Sequence, residues 1–377
     1  MRSTMIKKKN IPISFGSYIR SLRIESGIGQ RELAKKIDIS PSYLNDLEKN
    51  KRNAPKVELI SKLSILLKAD LELLYNLAGD SNESVPPDLS EYVQSNPKII
   101  SLIRSLKNSN FSDDEIDMLI KKTEQSKTKG LIVAAGLGSR LKDHTENLPK
   151  CMLDFGGKTL LQRQIESYKA CGIENINVIR GYKKNKINYK GLNYFHNPDY
   201  KDNNILNSIF YGEKVLNGNV IISYSDILFD SHVVKRLLES EHDISVVVDI
   251  DWKGYYVNRK DHPLSEAENV IFNSNNEVVK IGKIATEKEE VHGEFIGMIK
   301  LNRRGAEIFK QNFHRVKKLY WNKPFQRAKT FQKAYLTDMI QELADIGIKV
   351  HCVIIEKGWK EIDTVEDYQK AIKEFSQ

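Results

Sequence analysis

The 377-residue chain is poor in cysteine and has no apolar run near the roughly 18 residues of a membrane span. Its three cysteines, Cys151, Cys171 and Cys352, are odd in number and lack metal-ligand spacing. That excludes a disulfide framework and reads as reduced packing thiols in a cytosol. Cys151 adjoins Lys150, which leaves a site role open for it. The basic residues of MRSTMIKKKNIPIS lead into no apolar core. A secretory leader is therefore not expected, and the protein is expected to be cytoplasmic. Internal repeats and long low-complexity tracts are missing as well. No Gly-Lys-Ser/Thr closes its glycine loop, so the loop is not of the Walker type. No Ser/His or Cys/His arrangement for nucleophilic catalysis is evident.

What remains is an ordinary globular composition, 40% hydrophobic and 29% charged, long enough for two or three domains. The net charge of +9 is unevenly spread. Residues 1–80 hold 15 Lys/Arg against 9 Asp/Glu, and the remaining 297 hold 44 against 41. Basic excess concentrated in the first fifth of the chain points to a polyanion partner there.

That first fifth reads as five short helices. Phe15, Ile19, Leu22 and Ile24 start an apolar face that Gly27 stops. Gln30–Ile37 is a second helix, Asp38-Ile39-Ser40 a turn, and Pro41–Lys49 a third helix with proline at its first position. Val57–Leu67 and Leu71–Leu77 follow, ended by Gly79. A three- or four-residue turn between the second and third helices suits a helix-turn-helix. Gln30, Leu33-Ala34, Leu44, Leu47 and the Glu48/Pro55 bracket make the segment resemble the phage-repressor-type helix-turn-helix family. The resemblance implies that helix three enters the major groove with Ser40, Ser42, Tyr43 and Asn45 facing bases. Gln30, Lys51 and Arg52 would hold phosphates. Asp46 and Glu48 put negative charge near that face, and a bundle used only for dimerisation or protein contacts is the alternative.

Residues 80–128 read as a linker (DSNESVPPD) and a helical hairpin, Leu89–Leu106 interrupted at Pro97 and Ser112–Gln125. Ser112 and Glu115 form a capping box. From residue 129 onward strands and helices alternate. Leu131–Ala135, Ile176–Arg180, Val220–Tyr224, Ile244–Val248, Val270–Asn273, Val278–Lys280 and Val350–Ile355 read as strands. Leu160–Cys171, Ile205–Leu216, Val233–Ser240, Arg303–Phe313, Leu336–Ile346 and Val365–Ser376 read as helices. The alternation predicts an α/β fold, a doubly wound, mostly parallel sheet, behind the small all-α domain. The expected domains are thus 1–80, a 81–128 hairpin and 129–377.

The chemistry begins where the first of these strands ends. Leu131–Ala135 empties into Gly136-Leu137-Gly138-Ser139-Arg140, with Lys150 downstream. Such a loop exposes main-chain N–H groups to an anion, and Arg140 and Lys150 add full charge where a polyphosphate would lie; a tight structural turn is the other reading of the glycines. VIISYSDILF (Val220–Phe229) delivers Asp226 at a strand end. A carboxylate there is costly without a cation, so it either holds Mg²⁺ against a phosphate or caps the next turn. WKEIDTVEDY (Trp359–Tyr368) places Asp363 before a C-terminal helix capped by Thr364, with Glu361 nearby.

Together these segments resemble the nucleotidyltransferases that transfer a nucleoside monophosphate to sugar phosphates, phosphocholine or phosphonates. The resemblance covers about residues 130–377 and implies a Rossmann-like catalytic domain. AAGLGSRL…TENLPK, NNILNSIF (Asn203–Phe210), YSDILF and GEFIGMIKL (Gly293–Leu301) are similar to cytidylyltransferases acting on phosphocholine and 2-aminoethylphosphonate. By that resemblance Ala134, Ala135, Gly136, Leu137, Gly138, Ser139, Asn204, Ser208 and Tyr224 bind the nucleotide, CTP. Arg140 holds its β- and γ-phosphates, and Lys150 bridges the α-phosphate and the acceptor. Asp226 and Asp363 carry Mg²⁺. For a cationic acceptor head, Glu294 is the expected carboxylate, and Trp252, Tyr255, Tyr256, Trp321 and Trp359 are the aromatic candidates, Trp359 foremost. Lys283 is expected at the acceptor's phosphonate. A uridylyl- or thymidylyltransferase acting on a sugar 1-phosphate is the enzyme alternative, and a regulator whose transferase-like domain senses a ligand is the other. No hexapeptide repeats follow, so no acetyltransferase half is expected. Helix-turn-helix modules of this kind imply a homodimer on paired half-sites.

Overall fold

The computed structural model describes residues 14–257, 259–284 and 290–375, in two compact units that divide between Ile116 and Asp117. The division falls inside the helix Asp113–Ser126. The basic N-terminal stretch, residues 1–13, and the last residue of the expected C-terminal helix, Ser376, lie outside the described residues.

The first unit opens with five helices, α1 (Phe15–Glu25), α2 (Gln30–Lys36), α3 (Pro41–Glu48), α4 (Val57–Leu67) and α5 (Leu71–Ser81). Phe15, Ile19, Leu33, Ala34, Leu44, Leu47, Ile60, Leu63 and Leu74 bury one common core. Ile24, expected on that core, is 58% exposed, because the face of α1 is carried by Phe15, Ile19 and Leu22. Ser14 caps α1 and Ser40 caps α3, each accepting from a main-chain N–H three residues on. Helices Pro87–Ser95 and Pro97–Asn108 follow, the break set by Pro97. The Ser112/Glu115 capping box forms reciprocally, at 2.9 and 3.3 Å.

The second unit is a mixed, mostly parallel sheet covered by helices. Its strands are β1 (Lys129–Ala134), β2 (Asn175–Arg180), β3 (Asn193–His196), β4 (Val220–Tyr224), β5 (Ile227–Phe229), β6 (Ile244–Asp249), β7 (Asn269–Phe272), β8 (Val278–Gly282), β9 (Gly293–Leu301), β10 (His351–Ile355) and β11 (Trp359–Glu361). The main order is β10-β6-β9-β4-β1-β2-β3, with β7 and β8 off this path and β5 paired to β11 separately. Buried clusters on both faces explain why β1, β4 and β6 are mainly apolar rather than alternating.

The chain leaves β1 toward β2 on one side and returns to β4 on the other, all three parallel. A crevice therefore opens at the carboxyl ends of β1 and β4, where the strand order reverses. The glycine loop and Asp226 sit there.

Four strands were not expected: β3, β5, β11 and, most consequentially, β9. β9 is buried at every residue and runs antiparallel between β4 and β6. The expected helix Ile205–Leu216 is a short helix Ile205–Ile209 followed by a tighter turn. Gly212 breaks it, pressed against Ile179 and Leu131. Helix Arg303–Tyr320 runs seven residues beyond the expected end. No described helix is long and apolar enough to cross a membrane.

Candidate active site

β1 ends at Ala134 and the chain turns sharply through the glycines. Gly138 sits at φ +65°, a conformation glycine adopts at no steric cost. A Cβ there would lie 3.0 Å from Lys150 Cβ, so the loop is folded directly onto Lys150. The Gly138 carbonyl accepts from Leu141 N–H at 3.0 Å and Thr145 Oγ1 at 2.8 Å, which fixes the bend. Among the described residues, the N–H groups of Gly136, Leu137 and Gly138 donate to no protein acceptor. These three residues line a cavity of about 450 Å³ that the loop shares with Lys150, Asn204, Tyr224, Asp226, His262, Glu266, Glu268, Lys283, Glu361 and Asp363.

Three expected residues meet at its floor. Lys150 Nζ lies 2.9 Å from Asp226 Oδ2 and 2.5 Å from Asp363 Oδ1, although the two carboxylates are 137 residues apart in sequence. Burial alone would lower the Lys150 pKa, but Asp226, Asp363 and Glu361 hold it above the ordinary lysine value. The same balance works on Asp363: burial opposes its charge, and Lys150 and Arg140 push its pKa below the usual aspartate range. Arg140 Nη2 is 2.5 Å from Asp363 Oδ2. Its side chain is 56% exposed, free to swing toward a ligand in the cavity.

A buried brace stands behind Asp363. Asp367 Oδ2 accepts from the Asp363 and Thr364 N–H groups at 3.1 and 2.9 Å and from Thr364 Oγ1 at 2.9 Å. Arg259 grips Asp367 through two bonds of 2.7 and 2.9 Å and reaches Glu361 at 3.4 Å. Glu361 is driven well above the usual glutamate range, by burial first and then by Asp363 and Asp226. His262 Nδ1 lies 3.4 Å from Asp363 and 3.5 Å from Glu361. Burial, aided by Arg259, pulls its pKa down to about 4, so the ring is neutral near pH 7.

A cation fits this chemistry. Asp226 Oδ1 is buried with no partner among the described residues, an unmet demand that a metal or a protonated ligand would satisfy. Asp226, Glu361, Asp363 and His262 are the residues able to hold one.

The other expected residues divide. Ala134, Leu137, Ser139, Asn204, Tyr224 and Lys283 line the cavity. Ala135 is buried just behind, its carbonyl accepting from Tyr182 N–H. Ser208 is turned away, its Oγ bound to Asn197 at 2.8 Å. Glu294 does not reach the cavity; it is buried against the Tyr256 hydroxyl, and burial lifts its pKa to about 8. Trp359 lines a separate cavity of about 530 Å³ and donates to Asp249 at 2.8 Å. Trp252 is wholly buried, whereas Trp321 is 46% exposed. The carboxylates that line the cavity near Lys283 are instead Glu266, ion-paired to Lys283, and Glu268, which accepts from Thr337 Oγ1 at 2.8 Å. Arg259, His262, Glu266 and Glu268 come from an irregular stretch with no motif, and only their position in space marks them. Cys151 is buried, its thiol pushed up to about 12 by burial, which fits a packing role.

In the first unit Ser42, Lys51 and Arg52 are exposed along α3 and the turn after it, while Tyr43 and Asn45 are half-buried. Ser40 is engaged as the cap of α3. Glu48 adds no charge to that face: it is buried and bound by Arg23 at 2.6 and 2.9 Å and by Gln30 at 3.1 Å. Gln30 is thereby engaged inside the domain. Asp46 pairs with Arg52 at 3.8 Å.

Residues 130–276 match the family model of the MobA-like NTP transferase domain, and residues 19–74 match that of the helix-turn-helix. The chain is 29% identical over 256 residues to the CTP:phosphoglutamine cytidylyltransferase of Campylobacter jejuni, covering 64% of this chain and 98% of that protein. It is 36% identical over 118 residues to the choline-phosphate cytidylyltransferase of Streptococcus pneumoniae. That match spans 30% of this chain and about half, 52%, of that relative. Among solved structures, the inositol-1-phosphate CTP transferase from T. maritima superposes with a TM-score of 0.51 at 21% identity, over 66% of this chain and 96% of that one. The last likeness shows the fold.

Proposed function

Because this chain joins a helix-turn-helix domain to a MobA-like NTP transferase domain and is a nucleotidyltransferase, we propose that it moves CMP from CTP to a small phosphate or phosphonate. The acceptor carries an amino-bearing head, and pyrophosphate leaves. The observation that carries this reading is the meeting of Lys150, Asp226 and Asp363 beneath a glycine loop with unpartnered N–H groups. The cytidylyl choice is supported by the relatives, whose names specify CTP:phosphoglutamine and choline-phosphate cytidylyltransfer.

An oxyanion of the acceptor attacks the α-phosphorus of CTP in line; its O–P bond forms as the bond to the pyrophosphate oxygen breaks. The protein's part is positioning and neutralisation rather than covalent chemistry. Loop N–H groups at Gly136–Gly138 receive the triphosphate. Arg140 exchanges Asp363 for the β- and γ-phosphates, and the Lys150 ammonium lies between the α-phosphate and the acceptor anion. Mg²⁺ held by Asp226 and Asp363 would neutralise the α-phosphoryl oxygens. Glu266 and Glu268 supply negative charge for an ammonium head, and Lys283 lies beside them for an acidic group.

The helix-turn-helix domain, on this reading, binds DNA as one half of a homodimer. Ser42, Tyr43 and Asn45 face bases, and Lys51 and Arg52 face phosphates. Ser40 and Gln30 act by holding α3 in place.

The test is pyrophosphate release with Mg²⁺ across four nucleoside triphosphates against phosphocholine, 2-aminoethylphosphonate, a phosphorylated amino-acid amide and glucose 1-phosphate. Turnover with CTP and an amino-headed acceptor is expected. Turnover confined to UTP or dTTP with the sugar would replace this reading by the sugar branch, and silence with CTP still bound would point to ligand sensing.

A further inference from the structure

We propose that His262 is a direct ligand of the catalytic divalent cation, joining Asp226, Asp363 and Glu361 in a mixed nitrogen–oxygen site that holds Mn²⁺ in preference to Mg²⁺. The inference rests on the metal-dependent transferase reading and concerns what the site selects.

Geometry comes first. Nδ1 of His262, Oδ2 of Asp363 and Oε2 of Glu361 lie 3.4 and 3.5 Å apart across the histidine, and the three donors fall within 4.8 Å of one another. Adjacent ligand atoms around a six-coordinate ion with bonds of about 2.1 Å stand about 3 Å apart. A small contraction would therefore close the set on an ion.

The second observation is independent of the carboxylates. His262 is 3% exposed, lines the cavity, and has an Nδ1 with no hydrogen-bond partner among the described residues. A buried ring nitrogen without a partner is costly, and a neutral imidazole nitrogen 3.4 and 3.5 Å from two carboxylates is placed to share a cation with them. The neighbours limit what else it can do. The Tyr256 ring stands edge-on at 6.0 Å, and Arg259 is committed to Asp367. Arg140 now covers Asp363 Oδ2, but it is the exposed partner and the one that a triphosphate would draw away.

Donor type sets the preference. Mg²⁺ favours an all-oxygen shell, whereas imidazole suits first-row transition ions. One nitrogen among carboxylates therefore favours Mn²⁺ without excluding Mg²⁺.

The test is pulsed electron paramagnetic resonance of Mn²⁺ bound to the full chain, with and without CTP, beside titrations of Mn²⁺ and Mg²⁺ into wild type, His262→Gln and Asp363→Asn. Expected are ¹⁴N modulation from a coordinated imidazole in wild type and its loss in His262→Gln. Mn²⁺ affinity should fall by roughly tenfold in that variant while Mg²⁺ affinity barely changes, since an amide oxygen replaces the nitrogen. Mn²⁺ bound to wild type without nitrogen modulation, and lost in Asp363→Asn, would overturn the role of His262 while leaving the metal-dependent reading standing. Wild type that binds neither ion, even with CTP, would overturn both. The wild-type spectrum needs no variant to fold, so the question is decided in every case.

Discussion

Lys150 is an ammonium buried among three carboxylates, an arrangement justified only by a use for the charge. If that use is the α-phosphate, Lys150→Met should lower kcat/KM for pyrophosphate release by about 10²–10³-fold, the scale of removing one electrostatic donor. CTP affinity, measured by titration, should fall much less, because the loop N–H groups and Arg140 remain. Equal losses in both would assign Lys150 to binding alone. Glu294 shows the opposite case, a buried acid kept out of the chemistry. Its pKa is raised to about 8 by burial, so the folded protein holds a proton there that the unfolded chain releases near the ordinary 4.5. The stability it contributes is present below about pH 4.5 and is lost as pH rises toward 8. Glu294→Gln should flatten that loss by an amount on the order of 3 kcal/mol, read from urea unfolding at pH 5 and pH 8. An unchanged pH slope would mean that Glu294 is ionised in the folded protein.

Among the elements, β9 lies at the centre of the sheet between β4 and β6, yet its sequence carries little local signal of a strand. GEFIGMIKL carries two glycines, a glutamate and a lysine, which argue against a central strand taken alone. Each has a long-range reason. Gly293 admits the main chain of Asp249, Gly297 at φ +82° admits the Tyr224 ring, and buried Lys300 donates to the carbonyls of Leu238 and Ser240. Gly297→Ala would put a Cβ 2.6 Å from Tyr224, a residue that lines the cavity. We expect a cost of roughly 2–3 kcal/mol in unfolding free energy and weaker CTP binding from a displaced Tyr224. Binding left intact would separate Tyr224 from the nucleotide. The contrast explains what the sequence could convey. The glycine loop, the strand-end Asp226 and the EIDTVED motif are contiguous, each a local pattern tied to one strand or helix end. His262 and Arg259 are defined by partners about a hundred residues away, Glu361, Asp363 and Asp367, and no local period announces them. In the first unit the same limit let Glu48 pass as a surface charge. Its partner Arg23 lies 25 residues back, and Arg23→Met should lower the stability of that domain by roughly 3 kcal/mol by leaving the buried carboxylate with only the Gln30 amide.

At the scale of the whole molecule, the cores are separate: α1 to α5 bury their own cluster, and the sheet buries others on its two faces. Each unit therefore has the means to unfold cooperatively by itself, and calorimetry of the full chain should resolve two transitions. A ligand raises only the stability of the unit that binds it, by RT ln(1 + [L]/Kd), which is about 2.7 kcal/mol at a hundredfold excess over Kd. CTP with Mn²⁺ or Mg²⁺ should then move one transition upward and leave the other in place. A DNA duplex carrying the operator should do the reverse. This pairing also measures what each half says to the other. If CTP shifts both transitions, or DNA does, the sites are coupled, and reciprocity requires that each ligand change the other's affinity by the same factor. Strict independence would mean an enzyme that carries a DNA address. Coupling would mean one whose occupancy of CTP is reported to DNA, and the change in DNA affinity at saturating CTP gives the coupling free energy.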